Sequence, residues 1–212
     1  MTGFVCIENP PLDKALTILF LGGLEMNHLI NISLSFLQKN IIISDANLKI
    51  LKYGLNILYS TFLGILGVIL CGIILKSSIY SFLFLLFYCP LRLFIGGYHA
   101  KTNFFCITLF IFIFIVILNI NCHLTFNIPS ILFLLIYFLL IYFFAPVEST
   151  KKPFSKKNYL RMKKFSIVLF LIFCLILYLF YYFAQKYYNF IFLIYTINIL
   201  AFLAGILQNY FQ

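Results

Sequence analysis

The chain has no tryptophan and only five acidic residues among 212, and charged residues of both signs make up 9% of it. About a quarter of an ordinary soluble domain is charged, so this composition excludes one. Without tryptophan, an aromatic belt at a membrane–water boundary has to be built from tyrosine and phenylalanine. No Cys-x-x-Cys pair occurs among the six cysteines, which removes the spacing a structural zinc site uses. The first residues, MTGFVCIENPPLDK, carry two acids before their first base. They offer no small-residue cleavage site and do not read as a signal peptide. Internal repeats and a low-complexity tail are also missing, so neither a solenoid nor a disordered appendage is expected.

What is present is apolar. Hydrophobic residues account for 64% of the chain, with 28 Phe and 15 Tyr, and the mean hydropathy is +1.09. That excess implies surface facing lipid as well as a core. The expectation is an all-α integral membrane protein forming one domain over residues 1–212. The net charge of +10 is assigned to topology and anionic headgroups, with membrane lipid as a partner and no nucleic acid. Neither metal nor cofactor is implied.

A helix needs about 20 apolar residues to cross a hydrocarbon core of ~30 Å. The candidate segments are Tyr53–Leu75, a short one from Ile79 to Leu91, Phe104–Ile120, Ile128–Ala145, Phe165–Ala184 and Phe190–Leu207. These predict about six helices, five or six of them spanning, as a bundle over residues 53–212. The region 1–52 reads differently. Its apolar run Ala15–Leu24 is short and is followed by Glu25, Asn27, His28 and Asn31. Leu12–Asn40 is therefore expected to be an amphipathic helix at the interface or re-entering it, with Asn9-Pro10-Pro11 as the stop before it.

Lysine and arginine in short loops mark the cytoplasmic side. The stretch 146–164 holds seven: Lys151, Lys152, Lys156, Lys157, Arg161, Lys163 and Lys164. Counting crossings back puts Arg92 and Lys101 on that side, and then Lys14, Lys39, Lys49 and Lys52. Thirteen of the fifteen basic residues then face the cytoplasm, leaving only Lys76 and Lys186 outside.

On that side lies the stretch LRLFIGGYHAKTNFFC, Leu91 to Cys106. The adjacent glycines permit backbone conformations that other residues resist. His99 and Cys106 are seven apart, which on one straight helix separates them by about 10 Å along the axis. A break between them, with Cys106 opening the next helix, lets a folded-back loop join imidazole and thiol. Free cysteine is only slightly ionised at neutral pH, and a base or a helix N-terminus favours the thiolate. A reducing cytoplasm keeps the thiol free. The same residues also read more simply, with a cysteine packing as a small hydrophobe and a histidine as interfacial punctuation. Arg92 equally reads as a snorkelling anchor.

The run from Arg92 through Gly96, Gly97 and His99 to Cys106 resembles the signature of the accessory gene regulator B (AgrB) family of membrane peptidases. A second block, FAPVESTKKPFSKKNYLRMKKFS, is similar to that family's basic loop, with Lys151-Lys152-Pro153 matching its core. The resemblance implies a membrane cysteine endopeptidase that processes a quorum-sensing propeptide of the AgrD kind. Its catalytic pair would be His99 and Cys106, with Arg92, Gly96 and Gly97 in support. An acyl-thioester on Cys106 would be released as a thiolactone or lactone when a side chain inside the peptide attacks it. Lys151, Lys152, Lys156 and Lys157 would draw in an acidic substrate tail, though as a loop they also simply fix topology. A homodimer is a further implication. Two other classes stay open, a Cys-dependent membrane lipid acyltransferase and a non-enzymatic peptide-export or transport subunit. The charges gather at one membrane edge, not mid-membrane, which disfavours the transporter.

Overall fold

The computed structural model describes residues 30–36, 45–97, 102–123, 131–147 and 156–210. Among them every regular element is a helix: α1 over residues 30–36, α2 Asp45–Ile74, α3 Ser78–Ile95, α4 Asn103–His123, α5 Ile131–Phe144, α6 Lys156–Phe183 and α7 Gln185–Tyr210. The described residues fall into two compact units. One takes residues 82–97, 116–123, 131–147 and 156–210; the other takes 30–36, 45–81 and 102–115.

Five helical stretches are long and apolar enough to cross a membrane: Gly54–Ile74, Ser78–Ile95, Phe104–His123, Asn158–Phe183 and Gln185–Gln208. The chain is an all-α membrane protein. Helix α5 has 14 described residues, about 21 Å at 1.5 Å per residue, and residues 128–130 of the expected segment Ile128–Ala145 lie outside the described residues. It ends where Ala145-Pro146 follows, because proline disfavours helical backbone in the residue before it. In α1, Ile30 and Leu34 are buried while Asn31, Ile32, Ser35 and Phe36 are exposed. The rest of the expected amphipathic stretch Leu12–Asn40 lies outside the described residues, apart from these seven positions.

Helix α3 departs from the reading of a short segment ending before Arg92. It continues through Pro90 to Ile95 and carries Arg92 in its last turn. A membrane helix tolerates proline when neighbouring groups take up the freed backbone bonds. A cation in the last turn also faces the negative end of the helix dipole.

In the second unit, α2 ends in a Schellman turn. Lys76 has φ of 50°, its amide donates to Ile73 O at 3.1 Å, and the Ser77 amide donates to Gly72 O at 2.7 Å. The chain thus doubles back within three residues, and Ser81 of α3 comes against Gly72 of α2. A Cβ on Gly72 would coincide with Ser81 Oγ and lie 2.8 Å from Ser81 Cβ. Gly72→Ala is therefore expected to cost about 1–3 kcal/mol, as overpacking does. Ser81→Gly alone costs about 0.5–1 kcal/mol as a helical glycine. In the Gly72→Ala background it should cost less than that, or become favourable. Thermal unfolding of the four combinations in detergent reads this coupling, and simple additivity would show that the two helices separate freely here.

The first unit packs one face of α3 against α6 and α7. Phe84, Phe87, Leu91 and Ile95 are buried at helical spacing. The Phe87 ring meets Phe173 edge-on with centroids 4.9 Å apart, and Tyr137 of α5 meets Phe170 at 5.0 Å. Tyr195 Oη donates to Phe173 O at 3.0 Å, so this buried phenol is satisfied. Leu171, Leu175 and Leu179 on the other side of α6 stay exposed, as a lipid-facing surface requires. A single residue, Ala184, joins α6 to α7; its carbonyl accepts from the Tyr187 and Tyr188 amides.

Candidate functional site

A helix leaves its last four carbonyls without partners in the helix, and burying them unmet is costly. At the end of α3 the Gly96 amide donates to Arg92 O at 3.1 Å. Two others are met from far along the chain. The Val147 amide, just beyond α5, donates to Ile95 O at 3.0 Å. The Ser166 hydroxyl of α6 donates to Phe94 O at 2.8 Å. The Phe94 ring lies against Phe165, with centroids 5.8 Å apart.

The adjacent glycines follow directly. Gly96 has φ of 83° and Gly97 φ of 146°, both in the range that side chains resist. Space forbids side chains there as well. A Cβ on Gly96 would lie 2.8 Å from Val147 O. One on Gly97 would run into the Arg92 guanidinium and come within 3.0 Å of Ala201 O in α7. The fold thus brings together Arg92 and Gly97, and Gly96 with Val147. Three segments distant in sequence meet at the end of α3.

His99 lies outside the described residues, which resume at Thr102. Thr102 caps α4: the Phe105 amide reaches Thr102 Oγ1 at 3.4 Å and the Cys106 amide donates to Thr102 O at 3.1 Å. Cys106 therefore supplies the amide of the helix's first backbone bond, one turn from the positive end of its dipole. Its side chain is exposed, whereas Cys71 is buried and Cys89, Cys122 and Cys174 are partly buried. A nucleophilic thiol has to be reachable, and among the described cysteines Cys106 is the accessible one.

Of the basic residues, Lys151 and Lys152 lie outside the described residues, while Lys156 and Lys157 open α6. Arg161 and Lys164 are exposed along its first turns. Lys163 sits over the Tyr142 ring, 5.2 Å from its centroid, so part of the positive charge is spent on tying α6 to the end of α5. Sequence reasoning singled out Arg92, Gly96 and Gly97 but not Val147, Ser166 or Ala201, the groups those residues lean on. The available signal was a serine opening an apolar run directly after the basic stretch.

Two comparisons bear on this geometry. The family model "Accessory gene regulator B" matches residues 30–203. A protein of Clostridium perfringens (strain 13 / Type A), described as "Putative AgrB-like protein 2", is 30% identical over 129 residues, which is 56% of this chain and 60% of that relative. The match thus spans less than two thirds of the relative's length. No solved structure matches. With five helices able to cross a membrane and a family model covering the chain from residue 30 to residue 203, this multi-pass membrane protein belongs to the accessory gene regulator B family.

Proposed function

We propose that the protein is a membrane cysteine endopeptidase that cleaves an AgrD-like propeptide and passes the acyl product to a nucleophile within the same peptide. The observation that carries the reading is the exposed Cys106 in the first turn of α4, in a chain of this family. Cys106 Sγ attacks the carbonyl carbon of the scissile peptide bond, and His99 takes the thiol proton. His99 returns that proton to the departing amine, the acidic tail leaves, and the remaining peptide is held as a thioester on Cys106. A cysteine or serine side chain inside the peptide then attacks the thioester carbonyl, and the Cys106 thiol is restored as a thiolactone or lactone closes. An amide is more stable than a thioester, so the first step runs uphill and needs the tail to depart. The second step requires an internal nucleophile held close and water kept away.

The basic residues fit the same picture. An acidic tail is drawn towards Lys151, Lys152, Lys156 and Lys157, although attraction between exposed charges fades over about 8 Å at physiological salt. These lysines serve capture more than bond breaking. A homodimer in the membrane is part of the reading. The reactive loop lies on the cytoplasmic side of the cell membrane, with thirteen of fifteen basic residues. A cysteine placed at Ser155 should accordingly resist an impermeant maleimide added outside intact cells, and labelling there would reverse the orientation.

The direct test is to mix the purified full chain with a synthetic propeptide bearing an acidic tail, quench in acid, and weigh the protein. An adduct of leader plus signal segment on Cys106 is expected. An adduct formed from acyl-lipid in place of the peptide would identify a lipid acyltransferase. A folded protein forming neither adduct would favour a transport subunit.

A further inference from the structure

We propose that Tyr178 and Tyr182, at the end of α6, form a phospholipid seat in which the Tyr182 hydroxyl donates to a glycerol-ester carbonyl of the bilayer. The seat is independent of the proposed activity. One stripe of α6 carries the argument. Lys164, Val168, Leu171, Leu175, Tyr178 and Tyr182 follow one another at steps of four and three, which is one helix face, and all are exposed. Their chemistry changes in one direction, from a cation through three aliphatic side chains to two phenols. The 18 steps from residue 164 to residue 182 cover about 27 Å at 1.5 Å per residue, close to the ~30 Å of the hydrocarbon core. A bilayer has the same order along its normal: headgroups, hydrocarbon, then the opposite boundary layer, where tyrosine concentrates.

The two phenols are arranged for that layer. Their rings meet edge-on with centroids 4.9 Å apart, and Tyr178 Oη donates to Tyr182 Oη at 3.1 Å. Side chains on a helix lean towards its N-terminus, so Tyr178 reaches further into the hydrocarbon, where an unmet hydroxyl is costly. Its bond to Tyr182 meets that cost within the protein. Tyr182 accepts that bond and keeps its own proton to donate, at a side chain 64% exposed. At the edge of the hydrocarbon the acceptors on offer are ester carbonyls, with phosphates further out. Lys186 brings a cation to the same turn: it is exposed, with its ammonium 5.9 Å from the centroid of the Tyr187 ring. A lysine at headgroup level suits the phosphates there.

The chain has no tryptophan, so a single introduced indole reports a single place. Full-length Tyr182→Trp and Leu171→Trp are reconstituted in vesicles of phosphatidylcholine brominated either near the glycerol or near the methyl end of its acyl chains. Tyr182→Trp fluorescence should be quenched about twofold more by the shallow bromine. Leu171→Trp lies roughly 16 Å further along the helix and should show the reverse preference. That second variant shows that the helix sets the depth, not the indole's own preference for interfaces. Phe183→Trp carries the depth test should Tyr182→Trp fail to accumulate as folded protein. Deep quenching of both indoles would overturn the seat. Shielding of both from either lipid would place a second copy of the chain on the stripe, which also overturns it. The hydroxyl is tested by thermal unfolding of parent and Tyr182→Phe in ester-linked and in ether-linked phosphatidylcholine. The parent should unfold about 2 °C above Tyr182→Phe in the ester lipid and level with it in the ether lipid, which has no carbonyl to accept. Equal temperatures in the ester lipid, or the same gap in both lipids, would overturn the hydrogen bond and the seat built on it.

Discussion

Cys106→Ala should abolish release of the propeptide tail, while Cys71→Ala and Cys174→Ala should leave its rate within about twofold of the parent. Removing the nucleophile from a covalent mechanism removes the acyl intermediate itself. In a well-studied serine protease such a loss reaches about 10⁶-fold in kcat; here a loss beyond about 10³-fold is the expected floor. The other two cysteines differ in position, not in chemistry. Cys71 is buried in α2 and Cys174 is partly buried in α6. Each acts as a small apolar side chain, and truncation to alanine leaves a minor void. Initial rates of tail release by protein reconstituted in liposomes measure all three. Substantial cleavage by folded Cys106→Ala would end the covalent reading. Equal losses in all three variants would mean that rate follows stability, with no privileged thiol.

The largest effect on stability is expected at Gly96. An alanine there meets two penalties that do not relieve each other. The backbone is at φ 83°, where a side chain costs roughly 1–2 kcal/mol. The new Cβ would also stand 2.8 Å from Val147 O and 3.3 Å from Val147 N. Those are main-chain atoms held by the Val147–Ile95 bond, so they cannot turn aside, and overpacking adds about 1–3 kcal/mol. At Gly97 the nearest obstacle is the end of the Arg92 side chain, but the φ of 146° and Ala201 O at 3.0 Å oppose a side chain as well, so Gly97→Ala should also destabilise. Gly54 supplies the opposite control. Nothing lies within 4 Å of a Cβ there, in an exposed position of α2, and alanine should stabilise by about 0.4–1 kcal/mol. Thermal unfolding in one detergent should place Gly54→Ala above the parent, and Gly97→Ala and Gly96→Ala below it. Gly96→Ala unfolding at the parent's temperature would show that α3 ends without the Val147 contact.

Much of this protein could be read from the order of its residues, because the controlling forces there are local. A bilayer sets how many consecutive apolar residues a helix needs, and that number is visible in a run such as Asn158–Phe183 or Gln185–Gln208. Cys106 was singled out by its place in the Arg92–Cys106 motif, and the fold adds that its side chain is exposed. Helix boundaries were less accessible. Pro90 and Arg92 both argue for a stop, yet α3 continues to Ile95, because the groups that take up its last carbonyls belong to Val147 and Ser166. Neither residue lies near α3 in sequence, and nothing in Phe94 or Ile95 announces its partner. The sequence by itself therefore determined the number of apolar helices, the asymmetry of basic charge and the motif residues. Only the tertiary structure decided where α3 ends, why Gly96 and Gly97 must lack side chains, and which residues meet the last carbonyls of that helix. Apolar burial depends on composition summed along a segment, whereas a buried carbonyl is satisfied by whichever donor the fold carries to it.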